Sequence, residues 1–313
     1  MTNSSSKYGE FALIADLFAP LAKTPGAFGL TDDAATLAVP RGHELVVTAD
    51  ALVADVHFFA DDPPETIARK ALRVNLSDLA AKGAKPIGYL LALSLPRNVR
   101  YDWLRKFARG LAKDQREFGI ALLGGDTTAT PGPLTIAITA LGVVPKGKML
   151  RRKGAKVGDL VFVSGTIGDA GAGLALLKRK ARTPKSLIAR YRLPTPRLSL
   201  GFALRGVARA SIDVSDGLMA DLGHIAEVSK VRVVVDAARV PVSRGVDLIA
   251  AVTAGDDYEI AFTAPKRDAV MRAARKAGVA VTEIGIVERG EGAVLRDAKG
   301  REVRLKKKGY AHF

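Results

Sequence analysis

Two rhythms of apolar and polar residues alternate along this chain. Short apolar runs rich in β-branched residues predict strands at "ELVVTAD" (44–50), 87–95, "IALLGGD" (120–126), 134–144 and "LVFVSG" (160–165). Further strands are predicted at "ASIDVSDG" (210–217, running into a helix), "VRVVVD" (231–236), "DYEIAFTA" (257–264) and "VTEIGIVE" (281–288). Between them, Ile67, Ala71, Val74 and Leu79 recur at helical spacing in 64–84, which ends at Gly83. Helices are also predicted over 101–118 and from near Gly168. The pattern restarts after the basic, glycine-broken connector "PKGKMLRRKGAKVGD". The expectation is therefore an α/β (α+β) chain of two domains, residues 1–150 and 151–313. The two longest apolar runs, "IGYLLALSL" (87–95) and "LTIAITALGVV" (134–144), are too short to span a bilayer and read as buried strands.

Composition narrows the function classes. The 313 residues contain no cysteine, which removes disulfides, thiolate catalysis and cysteine-held metals and suits a reducing compartment. The start, "MTNSSSKYGE", has no apolar stretch of the secretory kind, so a cytoplasmic protein is expected. A net charge of +16 suggests anionic partners. That charge is scattered in small groups such as Arg151–Arg152–Lys153, Lys178–Arg179–Lys180 and Lys306–Lys307–Lys308. Aromatic residues make up only 6% of the chain, which argues against nucleic acid and leaves phosphorylated small molecules.

The aspartates share a habit: each ends an apolar strand or enters a helix. Asp50 closes "VVTAD", Asp78 lies in "NLSDLAA", and Asp126 follows two glycines. Asp213 and Asp216 sit in "IDVSD", and Asp32 and Asp33 form a pair. Singly, each is explained as a cap that accepts backbone N–H groups. Together, carboxylates gathered at the strand ends of one sheet repel one another unless divalent cations neutralise them. Oxygen ligands without cysteine or histidine favour Mg²⁺, which characteristically shares its coordination sphere with substrate phosphates. Asp221 and His224, further along, read as an exposed helix residue and a packing residue.

Two segments compete as phosphate cradles. "GVVPKGKM" (142–149) mimics a P-loop but has Met149 where Ser or Thr is needed, and a poor helix start follows it, so it is rejected. In "VSGTIGDAGAGLALL" (163–177), glycines open a helix. This fits either an anion site on backbone N–H groups or tight strand–helix packing.

Nine segments, in this order, resemble the thiamine-monophosphate kinase family: "GEFALI", "TDDAATL", "TADALVADVHF", "KALRVNLSDLAAKGAKP", "GGDTT", "GAKVGDLVFVSGTIGDAGAGL", "IDVSDGLMADLGHI", "GDDYEIAFT" and "GYAHF". The resemblance implies an N-terminal domain for ATP, Mg²⁺ and dimerisation, which forms a β-barrel shared across a homodimer, and a C-terminal α/β domain. It implies ATP-dependent phosphorylation of thiamine monophosphate to thiamine diphosphate, with several Mg²⁺ ions. Carried over by position, the metal ligands would be Asp33, Thr48, Ala49 (through its carbonyl), Asp50, Asp78, Asp126, Asp213 and Asp216. ATP would meet Gly125, Asp126, Arg152 and Ser215, and thiamine monophosphate would meet His57, Asp256 and Tyr310. No side chain is assigned as a proton acceptor, because a phosphate monoester with a second pKa near ~6 is already mostly dianionic at neutral pH.

The chain departs from the family pattern at Thr31, where a glycine is usual, and at Ala49, where a hydroxyl is usual. It departs again at Lys82, usually apolar, and at Asp256, usually glutamate. Two other classes fit less of the sequence. One is another ATP-dependent enzyme of the same superfamily, and the other is a non-catalytic basic nucleotide- or nucleic-acid-binding protein.

Overall fold

The computed structural model describes residues 9–311, so His312 and Phe313 of "GYAHF" lie outside the described residues. Two compact units emerge. The first runs to Leu79 and resumes over Lys85–Pro145; the second takes Ala80–Ala84 and everything from Lys146 on.

In the first unit, a helical turn α1 (Glu10–Leu13) is followed by π- and 3₁₀-helical turns up to Leu30. Then come β1 (His43–Val53), α2 (Pro64–Ala81), β2 (Lys85–Pro96), α3 (Tyr101–Phe118), β3 (Ala121–Thr130) and β4 (Thr135–Pro145). The strands form one sheet in the order β1-β4-β2-β3, antiparallel except for the parallel β2–β3 pair. One face is buried: Tyr89, Leu91 and Leu93 of β2 and Ile136, Ile138 and Ala140 of β4 lie on it. On this side the Thr48 hydroxyl of β1 meets Asp78 of α2. The opposite face is open, with Leu45, Val47 (57% exposed) and Leu90 on it. This corrects the expectation that 87–95 and 134–144 are buried strands. Their alternating burial shows that each buries one face only.

The second unit contains β5 (Leu160–Ser164), α4 (Asp169–Lys178), α5 (Lys185–Arg192), α6 (Leu198–Leu204), β6 (Ala210–Asp213) and α7 (Leu218–Ser229). These are followed by β7 (Arg232–Asp236), α8 (Leu248–Thr253), β8 (Ile260–Ala264), α9 (Arg267–Ala277), β9 (Val281–Glu288) and β10 (Gly292–Arg296). The sheet order is β10-β7-β9-β5-β8-β6. Alternation along β5 divides the core in two. Val161 and Val163 join a cluster with Leu218, Leu222, Ile225 and Val252, while Phe162 joins Leu200, Leu204, Phe262 and Val270 on the other side. Helices therefore cover both faces, which is why these strands read as almost continuously apolar.

Some predicted boundaries move for local reasons. The strand expected at 257–264 starts only at Ile260, because Asp256 and Tyr258 adopt φ of 70° and 51°. The helix expected to end at Gly83 has its last helical residue at Ala81, with Gly83 at φ 65° just past its end. No helix follows "GVVPKGKM": β4 ends at Pro145, and residues 146–159 contain none. β10 was not among the predicted strands.

Candidate active site

In β1, alternation puts Thr48 and Asp50 on the helix-covered face and Ala49 on the open one. The Thr48 hydroxyl donates to the Asp78 carboxylate of α2, with Asp50 two residues further along the same face. Asp33 is exposed and its N–H donates to the Asp32 carboxylate at 2.8 Å. Thr31, where the family carries glycine, sits at φ −103°, so its side chain causes no backbone strain.

His57 lies in a loop tied back on the end of β1. The Val53 N–H donates to its Nδ1 at 3.0 Å, and its own N–H donates to the Val53 carbonyl at 2.9 Å. A ring that accepts at Nδ1 carries its proton, when neutral, on Nε2.

Gly125 is required by packing, since a Cβ there would fall 1.8 Å from the Leu91 carbonyl oxygen. Asp126 is exposed and aligns in one row with Ala92, Ala137 and Ala51, on the open face. It therefore stands on the far edge strand from β1, three strand spacings or about 14 Å away, and on the opposite face from Asp50. The first unit gathers Thr48, Asp50 and Asp78 but not Asp126.

In the second unit, Asp213 ends β6 and is buried, and residues 214–217 turn into α7. Backbone hydrogen bonds lace this turn to two other segments. Asp256 N–H donates to the Ser215 carbonyl, Tyr258 N–H to that of Val214 and Tyr310 N–H to that of Asp216, each at 2.8 Å. Ser215, Asp216, Asp256 and Tyr310 are thus brought together. Aspartate tolerates the left-handed conformation at 256 better than most residues, which suits the shorter side chain found there.

Asp221 and His224 reverse their expected places. Asp221 is 2% exposed and accepts from the Asp216 and Gly217 N–H groups, both at 3.1 Å, while His224 is exposed. Burial, reinforced by the Asp216 charge, pushes the Asp221 carboxyl up to about 7 against the pull of these N–H donors and of Arg152. Ligand atoms of Asp216, Asp221 and His224 lie within 4.8 Å of one another. The signal in the sequence was the aspartate in the first turn of α7, a position that favours carboxylates.

The glycine-rich start of α4 is already capped. The Asp257 carboxylate accepts from Gly168 N–H at 2.7 Å and Ala170 N–H at 3.2 Å. Its glycines serve packing: a Cβ at Gly168 would lie 2.3 Å from Ala251, and one at Gly173 2.1 Å from the Leu187 carbonyl oxygen. The packing reading of this segment holds. Glu259, fully buried, is met by Arg190 at 2.7 Å, Arg197 at 2.6 Å and the Ser164 hydroxyl at 2.5 Å.

Comparison with known proteins now adds to this geometry. The family model described as AIR synthase related protein, N-terminal domain, matches residues 31–144, and the corresponding C-terminal domain matches 156–298. The thiamine-monophosphate kinase of Caulobacter vibrioides is 46% identical over 319 aligned residues, covering 97% of this chain and 90% of that protein. The chain belongs to the thiamine-monophosphate kinase family. Among solved structures, the thiamine-monophosphate kinase of Stenotrophomonas maltophilia K279a is similar with a TM-score of 0.84 and 42% identity, over 95% of this chain and 98% of that one. AaThiL complexed with AMPPCP and TMP gives a TM-score of 0.78 and 32% identity, over 97% of each chain. The thiamine-monophosphate kinase family thus accounts for both units, and every aspartate named above falls within the matched segments.

Proposed function

We propose that this chain transfers the γ-phosphate of ATP to thiamine monophosphate, giving thiamine diphosphate and ADP. The observation that carries the reading is the near-full-length match to AaThiL complexed with AMPPCP and TMP, an ATP analogue and the acceptor. The cysteine-free composition suits a reducing compartment, and we assign the reaction to the cytoplasm. Among the described residues no helix is long and apolar enough to cross a membrane.

The donors suit Mg²⁺: carboxylates and a hydroxyl, hard oxygens without sulfur. In the first unit Asp33, Thr48, the Ala49 carbonyl, Asp50, Asp78 and Asp126 would hold it, and in the second Asp213 and Asp216. Bound Mg²⁺ would offset charge on the phosphates of donor and acceptor. The chain's own contribution is alignment. The Thr48 hydroxyl orients the Asp78 carboxylate, and Gly125, whose missing Cβ lets β3 pack against the Leu91 backbone, would present its own backbone to the nucleotide beside Asp126. Arg152 offsets phosphate charge next to Ser215, while His57, Asp256 and Tyr310 receive thiamine monophosphate. The acceptor needs no base, since its phosphate is already a dianion.

The open face of the four-stranded sheet and its two free edges, β1 and β3, suit closure by a second copy into an eight-stranded barrel. Such closure would cover Leu45, Val47 and Leu90 and lay the partner's β3 along β1. Asp126 of the partner subunit would then lie across the seam from the strand that carries Ala49 and Asp50, and we take a homodimer as the active form.

The test is formation of thiamine diphosphate from ATP and thiamine monophosphate, with Mg²⁺ or with EDTA, using the chain and an Asp78→Asn variant. Metal-dependent product that falls at least about 100-fold in the variant is expected. ATP turnover without thiamine diphosphate would reject the acceptor, and absence of ATP binding would reject the whole reading.

A further inference from the structure

Lys70 is a buried charge of the first unit to which no role has yet been given. It lies on α2 with only 2% of its surface exposed, and lysine is among the residues least often buried. Its ammonium donates to the backbone carbonyl of His57 at 2.8 Å. Asp62, 3% exposed, accepts from the Phe59 N–H at 3.3 Å, so two buried charged side chains grip the same three-residue stretch. The loop is tied further by Asp55 N–H to the Phe58 carbonyl at 2.7 Å and by Ala60 N–H to the Asp55 carboxylate at 3.1 Å. An apolar side chain would fill the helix interior as well, without the cost of burying a charge. The ammonium gives the His57 backbone a fixed point.

We propose that Lys70 is a positioning residue for substrate binding: through the His57 carbonyl it holds the imidazole so that Nε2–H serves as a hydrogen-bond donor to thiamine monophosphate. The inference rests on the reading of His57 as a substrate contact. Anchoring at the carbonyl and at Nδ1 fixes both ends of the residue, so the donor is delivered without ordering a loop at the moment of binding.

The experiment is a double-mutant cycle on the full chain. It compares Lys70→Met, His57→Ala, the double variant and Lys70→Arg, reading KM for thiamine monophosphate, KM for ATP and kcat. Lys70→Met is expected to raise KM for thiamine monophosphate about 10-fold, with KM for ATP and kcat within about 2-fold. It should add less than about 2-fold in the His57→Ala background, and Lys70→Arg should recover most of the loss. An equal rise in both backgrounds, or a matching rise in KM for ATP, overturns the proposal and leaves Lys70 a structural residue. If His57→Ala itself leaves KM for thiamine monophosphate unchanged, the reading of His57 fails first, and the positioning role falls with it. If Lys70→Met does not fold, the same cycle with Lys70→Gln decides: a rise in KM for thiamine monophosphate that vanishes without His57 supports the role, and no rise or an additive one overturns it.

Discussion

In "GDDYEI", four consecutive polar residues do four different things, and only one of them was legible as a site. Asp256 turns the chain through φ 70°, Asp257 caps α4, Tyr258 turns again at φ 51°, and Glu259 binds two arginines. Spacing alone could not separate these roles, because each depends on a partner more than 40 positions away in sequence, from Ser215 for Asp256 to Gly168 for Asp257. Asp221 differs: its partners, the Asp216 and Gly217 N–H groups, are close in sequence, and what hydropathy does not reveal is that the turn folds back over its carboxylate and buries it. The Asp257 environment has a measurable consequence. Burial outweighs the Gly168 and Ala170 donors and Arg190, and pushes this carboxyl up to about 7. With the folded-state value above the ordinary one, its contribution to stability is full below about pH 4 and is lost as pH rises through about 7. Asp257→Asn has no such titration. The stability of the natural chain relative to Asp257→Asn should therefore fall between pH 5 and pH 7.5 (urea midpoints, compared at about those two values). A difference that stays constant or grows with pH would contradict the assignment.

The helices and central strands were readable because their hydropathy periods persist over many residues; α3 and β9 begin and end where the pattern says. β3 runs on to Thr130 past Asp126, because pairing with β2 continues where hydrophobicity does not. Buried charge between helices was invisible in the pattern. Asp114 is fully buried on α3, and its two oxygens take Arg69 and Arg73 of α2, each at 2.7 Å. Arg73 also lies over the Phe118 ring, 5.0 Å from its centroid. Removing the carboxylate takes away the fully buried partner of both arginines and leaves them the more exposed Glu117, 3.0 Å from Arg69 and 2.8 Å from Arg73, so Asp114→Ala should cost about 3 kcal/mol in a urea titration. Replacing both members, Arg73→Met with Asp114→Leu, should recover a large part of that loss. If Asp114→Ala is neutral, the pair does not hold α2 to α3.

The sequence pattern indicated two α/β units at the scale of the whole molecule, but it could not show which face of each sheet is covered. In the second unit both faces carry helices; in the first, one face and both edges are open. The placement of Asp126 turns that difference into a prediction about assembly. Asp126 and Asp50 occupy opposite edge strands and opposite faces, so one flat sheet cannot direct both to a shared cation. In the homodimer proposed above, closure by a second copy would supply the missing edge. Two inactive proteins, Asp50→Asn and Asp126→Asn, should then complement each other when mixed under conditions that let subunits exchange. In a hybrid dimer, one site receives both altered residues and the other receives neither. With random exchange half the dimers are hybrids and each has one intact site, giving about a quarter of the natural turnover. If each chain instead builds its site alone, mixing restores nothing, because every site keeps one altered aspartate. Turnover near a quarter that vanishes when exchange is blocked by a cross-link made before mixing would tie the active site to the seam of the barrel.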